Sequence, residues 1–252
     1  MSNPDSTQRG RIHRILAPDV KGVARYGAEL FVRLSQIAAA NGRFSVALSG
    51  GSTPRTMHLL LASPEFRTQV NWSYVHFYWG DERCVPPEDQ ESNFRMARET
   101  LLDALPVQPA QIHRIRSEDT PESAAAQYEN ELRETFRLAQ GEWPRFDLIY
   151  LGMGPDGHTA SLFPHTTALH VSDRIVVANY VPKLAASRIT LTVPVLNNAA
   201  AVAFLVAGAE KASALAAVID GPPNPDEYPS QRIAPSNGDL YWIMDRAASA
   251  HL

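Results

Sequence analysis

Three short runs, 44–48 (FSVAL), 146–151 (FDLIYL) and 202–207 (VAFLVA), are apolar at nearly every position and show no alternation. A strand reads that way when both of its faces are buried, as in a parallel sheet covered by helices on two sides. Parallel neighbours need a crossover between them, and the segments between these runs carry helical spacing. The chain is therefore constrained to an α/β architecture before any single residue is considered.

The remaining elements fill in around this frame. Val20, Val23, Gly27, Leu30, Leu34, Ile37 and Ala38 follow helical spacing, and Asn41-Gly42 supplies a stop. Pro54 opens a second helix, 74–79 (YVHFYW) reads as a strand and 93–105 as a helix. A short strand is expected at 111–115, then a helix with Thr120 as N-cap and Pro121 at its first position. Residues 174–179 and 187–193 are rich in strand formers, with a brief helix from Asn197 or Asn198 before the run at 202–208. A helix over 209–219, a proline-rich surface loop over 220–238 and a final strand at 239–245 close the chain. The fold class is α/β, a mainly parallel sheet with helices on both faces in a Rossmann-like sandwich, with room for a small additional lobe. No repeat or linker divides the chain, so 1–252 is expected to form one domain.

Composition narrows the function. The formal net charge is −4 and no run of Lys or Arg occurs, which argues against a nucleic-acid partner. Cys84 is the single cysteine, so no intrachain disulfide can form and a reducing compartment is expected. No stretch approaches 18 apolar residues, and residues 1–16 lack the apolar core of a secretory signal. The expectation is a cytoplasmic protein, monomeric, without a membrane partner. The sequon at Asn71-Trp72-Ser73 then reads as chance. The eight histidines are scattered, and neither His165 nor His170 stands at a ligand spacing from His158, so no metal site is expected.

Gly152, Gly154 and Gly157 spell G-x-G-x-x-G after the strand at 146–151, the written form of a dinucleotide fingerprint. The chemistry opposes it. At least three strands precede the motif, Asp173 stands before the next strand instead of closing it, and the turn carries Pro155, which has no N–H, and Asp156, an anion. An Asp and a His on one tight turn suit other work. His158 is expected at the start of a short helix (HTASLF), whose positive end keeps the imidazole neutral, and Asp156 can fix its tautomer. A capping Asp beside a solvated His is the structural alternative. The position, at the carboxyl end of a buried parallel strand, is where open α/β sheets bind ligands.

Two other loops emerge at that edge. Ser49, Gly50, Gly51, Ser52 and Thr53 offer unobstructed N–H groups and hydroxyls ahead of a helix, a phosphate cradle or else a plain capped turn. No Lys-Ser or Lys-Thr follows, so it is not a Walker loop, and the glycine that would close a nucleophile elbow is missing. Asp81, Glu82 and Arg83 follow the strand at 74–79, and three charges there are costly unless paired, solvated or used. Arg188 and Lys211 are candidate anion partners, although a lone cation is commonly a solvated surface charge.

Taken together and in order, ALSGGSTP, FYWGDERCVPPEDQESNFRMARETLL, FDLIYLGMGPDGHTASLFP and RITLTVPVLNNAAAVAFLVAGAEKASAL resemble the 6-phosphogluconolactonase family, over about residues 20 to 220. That family shares a superfamily and an α/β fold with glucosamine-6-phosphate deaminase, and it hydrolyses 6-phosphoglucono-δ-lactone without a metal or organic cofactor. The resemblance implies a sugar-phosphate lactone as the small-molecule partner. It implies His158 as general base, Asp156 as its orienting partner and Arg83 as a positive group at the site. The phosphate is then expected on Ser49–Thr53, with Arg188 and Lys211 as cationic partners. Asp81 matches the base of the deaminases, and Lys183, before RITLT, is left without a role. Two rivals follow: an isomerase or deaminase of the same superfamily, and a non-catalytic sugar-phosphate sensor. Arg83 after GDE speaks against the first. The roughly 20 residues before the first helix are too few for the helix-turn-helix a sensor usually carries.

Overall fold

The computed structural model describes residues 10–252. The reading of residues 1–16 as lacking a signal core lies, for residues 1–9, outside the described residues. The strands are β1 (Ile12–Ala17), β2 (Phe44–Leu48), β3 (Val75–Trp79), β4 (Asp81–Arg83), β5 (Leu148–Leu151), β6 (Val176–Val181), β7 (Ala186–Leu191), β8 (Ala201–Val206) and β9 (Asp239–Asp245). The α-helices are α1 (Val20–Ala38), α2 (Ser52–Leu61), α3 (Pro64–Arg67), α4 (Asn93–Thr100), α5 (Pro121–Phe136), α6 (Val193–Asn197) and α7 (Ala212–Ile219).

Six strands form one parallel sheet in the order β1-β9-β8-β5-β2-β3. β2, β5 and β8 are buried at every position, as their unbroken apolar runs require. Alternate residues of the sheet feed different layers. On one face Phe31 of α1 meets Phe44 of β2 edge-on at 5.2 Å, and Tyr150 of β5 donates to the Gly27 carbonyl of α1 at 2.8 Å. On the other face Phe136 of α5 meets Tyr78 of β3 at 5.5 Å.

The second sheet is small and antiparallel, β4-β7-β6, and it packs against α5. It is the additional lobe that the fold class leaves room for: 174–179 and 187–193 pair with each other and with residues 81–83, not with the main sheet. Glu129 of α5 stitches the layers, accepting from the backbone N–H groups of Ile175 and Val176 at 3.1 and 3.3 Å.

Three expectations are corrected, and one element is unexpected. β1 has no counterpart in the sequence reading, because it is an edge strand whose Ile12 and Leu16 face outward and break the buried pattern. Residues 111–115 make only an isolated bridge from Ile112 to Phe77. The brief helix falls at Val193–Asn197 instead of beginning at Asn197. No helix follows His158. Gly157, Ala160 and His165 take left-handed φ angles of 74°, 46° and 59°, which a right-handed helix excludes.

Candidate active site

β2 leads to β3 in one direction across the sheet, whereas β5, β8 and β9 build in the other, so the strand order reverses between β2 and β5. Such a reversal leaves a crevice at the carboxyl edge. A cleft of about 260 Å³ opens there, walled by the loops after β2, β3, β5 and β8.

The loop after β2 supplies Ser49, Gly50, Gly51, Ser52 and Thr53. Gly51 holds φ 103° to turn the chain into α2, whose first N–H groups lack partners within the helix and face the cleft end. Gly50 packs closely on Asn93: an added Cβ would lie 1.9 Å from the Asn93 Oδ1 and would force that amide to move. Asn93 is a cleft residue that the sequence reading missed. It is buried at the start of α4, and its amide donates to the Asp81 carbonyl at 3.0 Å, joining the two loops.

The three charges after β3 separate. Asp81 and Arg83 wall the cleft. Asp81 is buried and its Oδ2 accepts from Ser161 Oγ at 2.7 Å. Glu82 turns away and caps α4, accepting from the backbone N–H groups of Asn93 and Phe94, each at 2.8 Å. Burial pushes the Glu82 carboxyl up, against those N–H groups. The Arg83 guanidinium donates to the Glu91 carbonyl.

After β5 the chain folds on itself: Gly157 N–H donates to the Gly154 carbonyl at 3.0 Å, and Gly154 N–H to the His158 carbonyl at 2.9 Å. These N–H groups are spent within the turn, leaving Arg83 as the better donor toward a ligand oxygen. His158 Nδ1 lies 2.5 Å from Asp156 Oδ1, and Lys183 Nζ lies 2.9 Å from Asp156 Oδ2. Burial pushes the Asp156 carboxyl up, but the hydrogen bond and charge of His158, together with Lys183, outweigh it and hold the group well below the usual carboxylate range. An ionised Asp156 accepts the Nδ1 proton and leaves the Nε2 lone pair free. The ring plane is fixed by stacking on Phe163 at 4.0 Å and 20°. The expected helix dipole is thus absent, and a carboxylate and an aromatic face orient the imidazole in its place.

The loop after β8 brings Glu210 and Lys211 to the rim. Arg188 does not wall the cleft. It stands across from Arg83 in the β4–β7 register, and burial, then the Arg83 charge, push its guanidinium down. A larger cavity, about 700 Å³, lies at the amino edge between β1 and loop 220–238 and shares no lining residue with the cleft. Among the described residues no group of three or more His, Cys, Asp or Glu side chains could hold a metal ion.

Fold and cleft define the class, an open-sheet α/β protein with its ligand crevice at the strand-order reversal. The sequence model of the family described as glucosamine-6-phosphate isomerases/6-phosphogluconolactonase matches residues 18–242, and the chain belongs to that family. It is 42% identical over 221 residues to the 6-phosphogluconolactonase of Synechocystis sp., covering 87% of this chain and 89% of that one. It is 38% identical over 221 residues to the 6-phosphogluconolactonase of Haemophilus influenzae, covering 88% and 91%. Among solved structures, the devB protein superposes with TM-score 0.87 at 32% identity, over 96% of this chain and 99% of that one. The 6-phosphogluconolactonase of Trypanosoma cruzi gives 0.85 at 26%, over 98% and 99%. A monomeric glucosamine-6-phosphate deaminase, at 15% identity and TM-score 0.78 over 95% and 100%, shares the fold.

Proposed function

We propose that this chain hydrolyses 6-phosphoglucono-δ-lactone to 6-phosphogluconate, the lactonase step of the oxidative pentose phosphate pathway, by general-base activation of water. The observation that carries the reading is His158, on the wall of a cleft that also holds the Ser49–Thr53 loop, backed by Asp156 2.5 Å from its Nδ1.

The substrate phosphate sits on the N–H groups and hydroxyls of Ser49, Gly50, Gly51, Ser52 and Thr53, with Lys211 closing over it, while Arg188, behind Arg83, adds positive potential from outside the cleft. Held there, the lactone presents C1 to His158, and binding energy becomes orientation. His158 Nε2 takes a proton from water as the water oxygen bonds to C1. The carbonyl electrons move onto oxygen, where Arg83 faces the developing charge. The intermediate collapses by breaking the C1–ring-oxygen bond, and the imidazolium returns its proton to that oxygen. A lactone is an activated ester, so no covalent nucleophile is required, and one positioned base contributes about 10²–10⁴-fold. Asp81, whose Oδ2 is engaged by Ser161, holds a sugar hydroxyl in this reading.

We read the chain as one domain acting as a cytoplasmic monomer; the single free cysteine, Cys84, suits a reducing compartment. No helix among the described residues is long and apolar enough to cross a membrane. The test is a coupled assay in which the lactone is generated in place and 6-phosphogluconate formation is followed above the spontaneous rate. Protein-dependent acceleration supports the reading. Ammonia release from glucosamine-6-phosphate without lactone hydrolysis would replace it with a deaminase, and product binding without turnover with a sensor.

A further inference from the structure

The proline-rich loop 220–238 carried no readable role in the sequence, yet it ends against the turn that bears His158. Gly157, the residue between Asp156 and His158, has its carbonyl engaged by both donors of Ser230: the backbone N–H at 3.0 Å and Oγ at 2.8 Å. Ser230 is 1% exposed. Tyr228 covers the α-carbon of the same glycine, so closely that an added Cβ would lie 2.8 Å from its Cδ1. A third tie joins His165 N–H to the Asp226 carbonyl at 3.2 Å.

These ties fall on a segment that its own sequence does not hold in place. Gly157, Ala160 and His165 all take left-handed φ angles, two of them without the freedom of glycine. Backbone of this kind persists where surrounding contacts over-determine it. The loop that supplies those contacts is itself anchored. Gln231 donates to the Ala217 carbonyl at 2.9 Å, Asn197 donates to the Arg232 carbonyl at 2.8 Å, and Arg232 pairs with Asp226 at 2.5 Å. The Gly157 carbonyl belongs to the peptide that ends at the His158 nitrogen, so its tilt sets the direction of the His158 side chain. Both acceptor sites of that carbonyl are occupied by one buried residue from 73 positions away.

We infer that Ser230 is a positioning residue for His158, acting through the Gly157 carbonyl, with Tyr228 as its companion over the glycine. The inference rests on His158 being the base of the reaction proposed above. Loop 220–238 is then a brace that fixes the angle at which Nε2 meets water, and it contributes nothing to phosphate binding. Its signature is a loss in kcat without a loss in KM.

The experiment compares the parent chain with Ser230→Ala in lactone hydrolysis, and records the His158 imidazole Nδ1–H resonance by NMR. Ser230→Ala removes one of the two donors and leaves the other. Misplacement of a base by a fraction of an ångström costs on the order of 10- to 100-fold in kcat. The expected result is a fall of that size, KM within about twofold of the parent, and a shifted Nδ1–H resonance in a protein that unfolds cooperatively. A kcat and a resonance that match the parent would overturn the assignment. If Ser230→Ala does not fold, Tyr228→Ala, which opens the other contact on Gly157, carries the same expectation and the same refutation. If the parent itself does not hydrolyse the lactone, the reaction reading fails, and the Nδ1–H resonance still decides whether the brace sets the imidazole.

Discussion

Gly154→Ala places one methyl group where the His158–Asp156 pair now sits. The added Cβ would lie 2.0 Å from His158 Nδ1, 2.2 Å from its Cε1 and 2.6 Å from Asp156 Oδ1. Ordinary contact begins at 3.4 Å, so the imidazole must retreat by about 1.4 Å, the difference between 3.4 and 2.0. That retreat breaks the 2.5 Å bond to Asp156 and slides the ring off Phe163. Gly154 is not among the glycines with positive φ, so the backbone accepts alanine and the damage is confined to the pair. A displacement near 1 Å at a reacting group costs about 10²-fold, close to 2.7 kcal/mol in activation free energy. Overpacking here costs the fold about 1–3 kcal/mol, softened because the imidazole, 25% exposed, can swing outward. Initial rates of lactone hydrolysis beside thermal unfolding read both quantities. A folded Gly154→Ala protein with the parent kcat would refute the geometry assigned to the base.

Lys211→Met removes a cation from the rim; the loss of a charge-assisted phosphate contact raises KM by about 10-fold with kcat nearly unchanged, read by steady-state kinetics. Stability against pH follows a residue outside the cleft. His58 is fully buried in α2, and burial lowers its imidazole to about 4 from 6.5. The unfolded chain therefore binds the proton first. Stability is intact above about pH 6.5 and is lost as pH falls from there toward 4, by up to about 3 kcal/mol. His58→Leu is expected to remove the His58 share of that loss and to leave that of His76, whose imidazole burial and the Arg43 charge also lower to about 4. The substitution is tolerated because Thr100 keeps its 2.6 Å bond to the Met96 carbonyl and the buried His58 Nε2 has no partner to lose. Denaturant unfolding at pH 7.5 and 4.5 measures it, and equal losses in the two proteins would contradict the linkage.

The sequence exposes those parts of the site that hang directly from buried strands. Ser49–Thr53, Asp81, Arg83, Asp156 and His158 all follow continuous apolar runs, and a parallel sheet delivers the ends of such runs to one edge. What it hides depends on contacts between distant positions. Lys183 reaches Asp156 across 27 residues and Ser230 reaches Gly157 across 73, and neither carries a local pattern. The helix expected at HTASLF fails because Ala160 within it takes a left-handed φ, with Gly157 just before it and His165 just after it doing the same, and this overrides the local spacing. β1 escapes notice because an edge strand need bury only one face. Glu82 reads like its neighbours Asp81 and Arg83, and only the three-dimensional path assigns it to capping α4.

The central claim is that His158 is the base. The most direct measurement is the kcat of His158→Ala for 6-phosphoglucono-δ-lactone beside that of the parent, with 6-phosphogluconate binding measured on both. The account predicts a fall of about 10²–10⁴-fold in kcat with product affinity retained. A His158→Ala protein that turns over within a few-fold of the parent would contradict it and move the search for the base to Asp81.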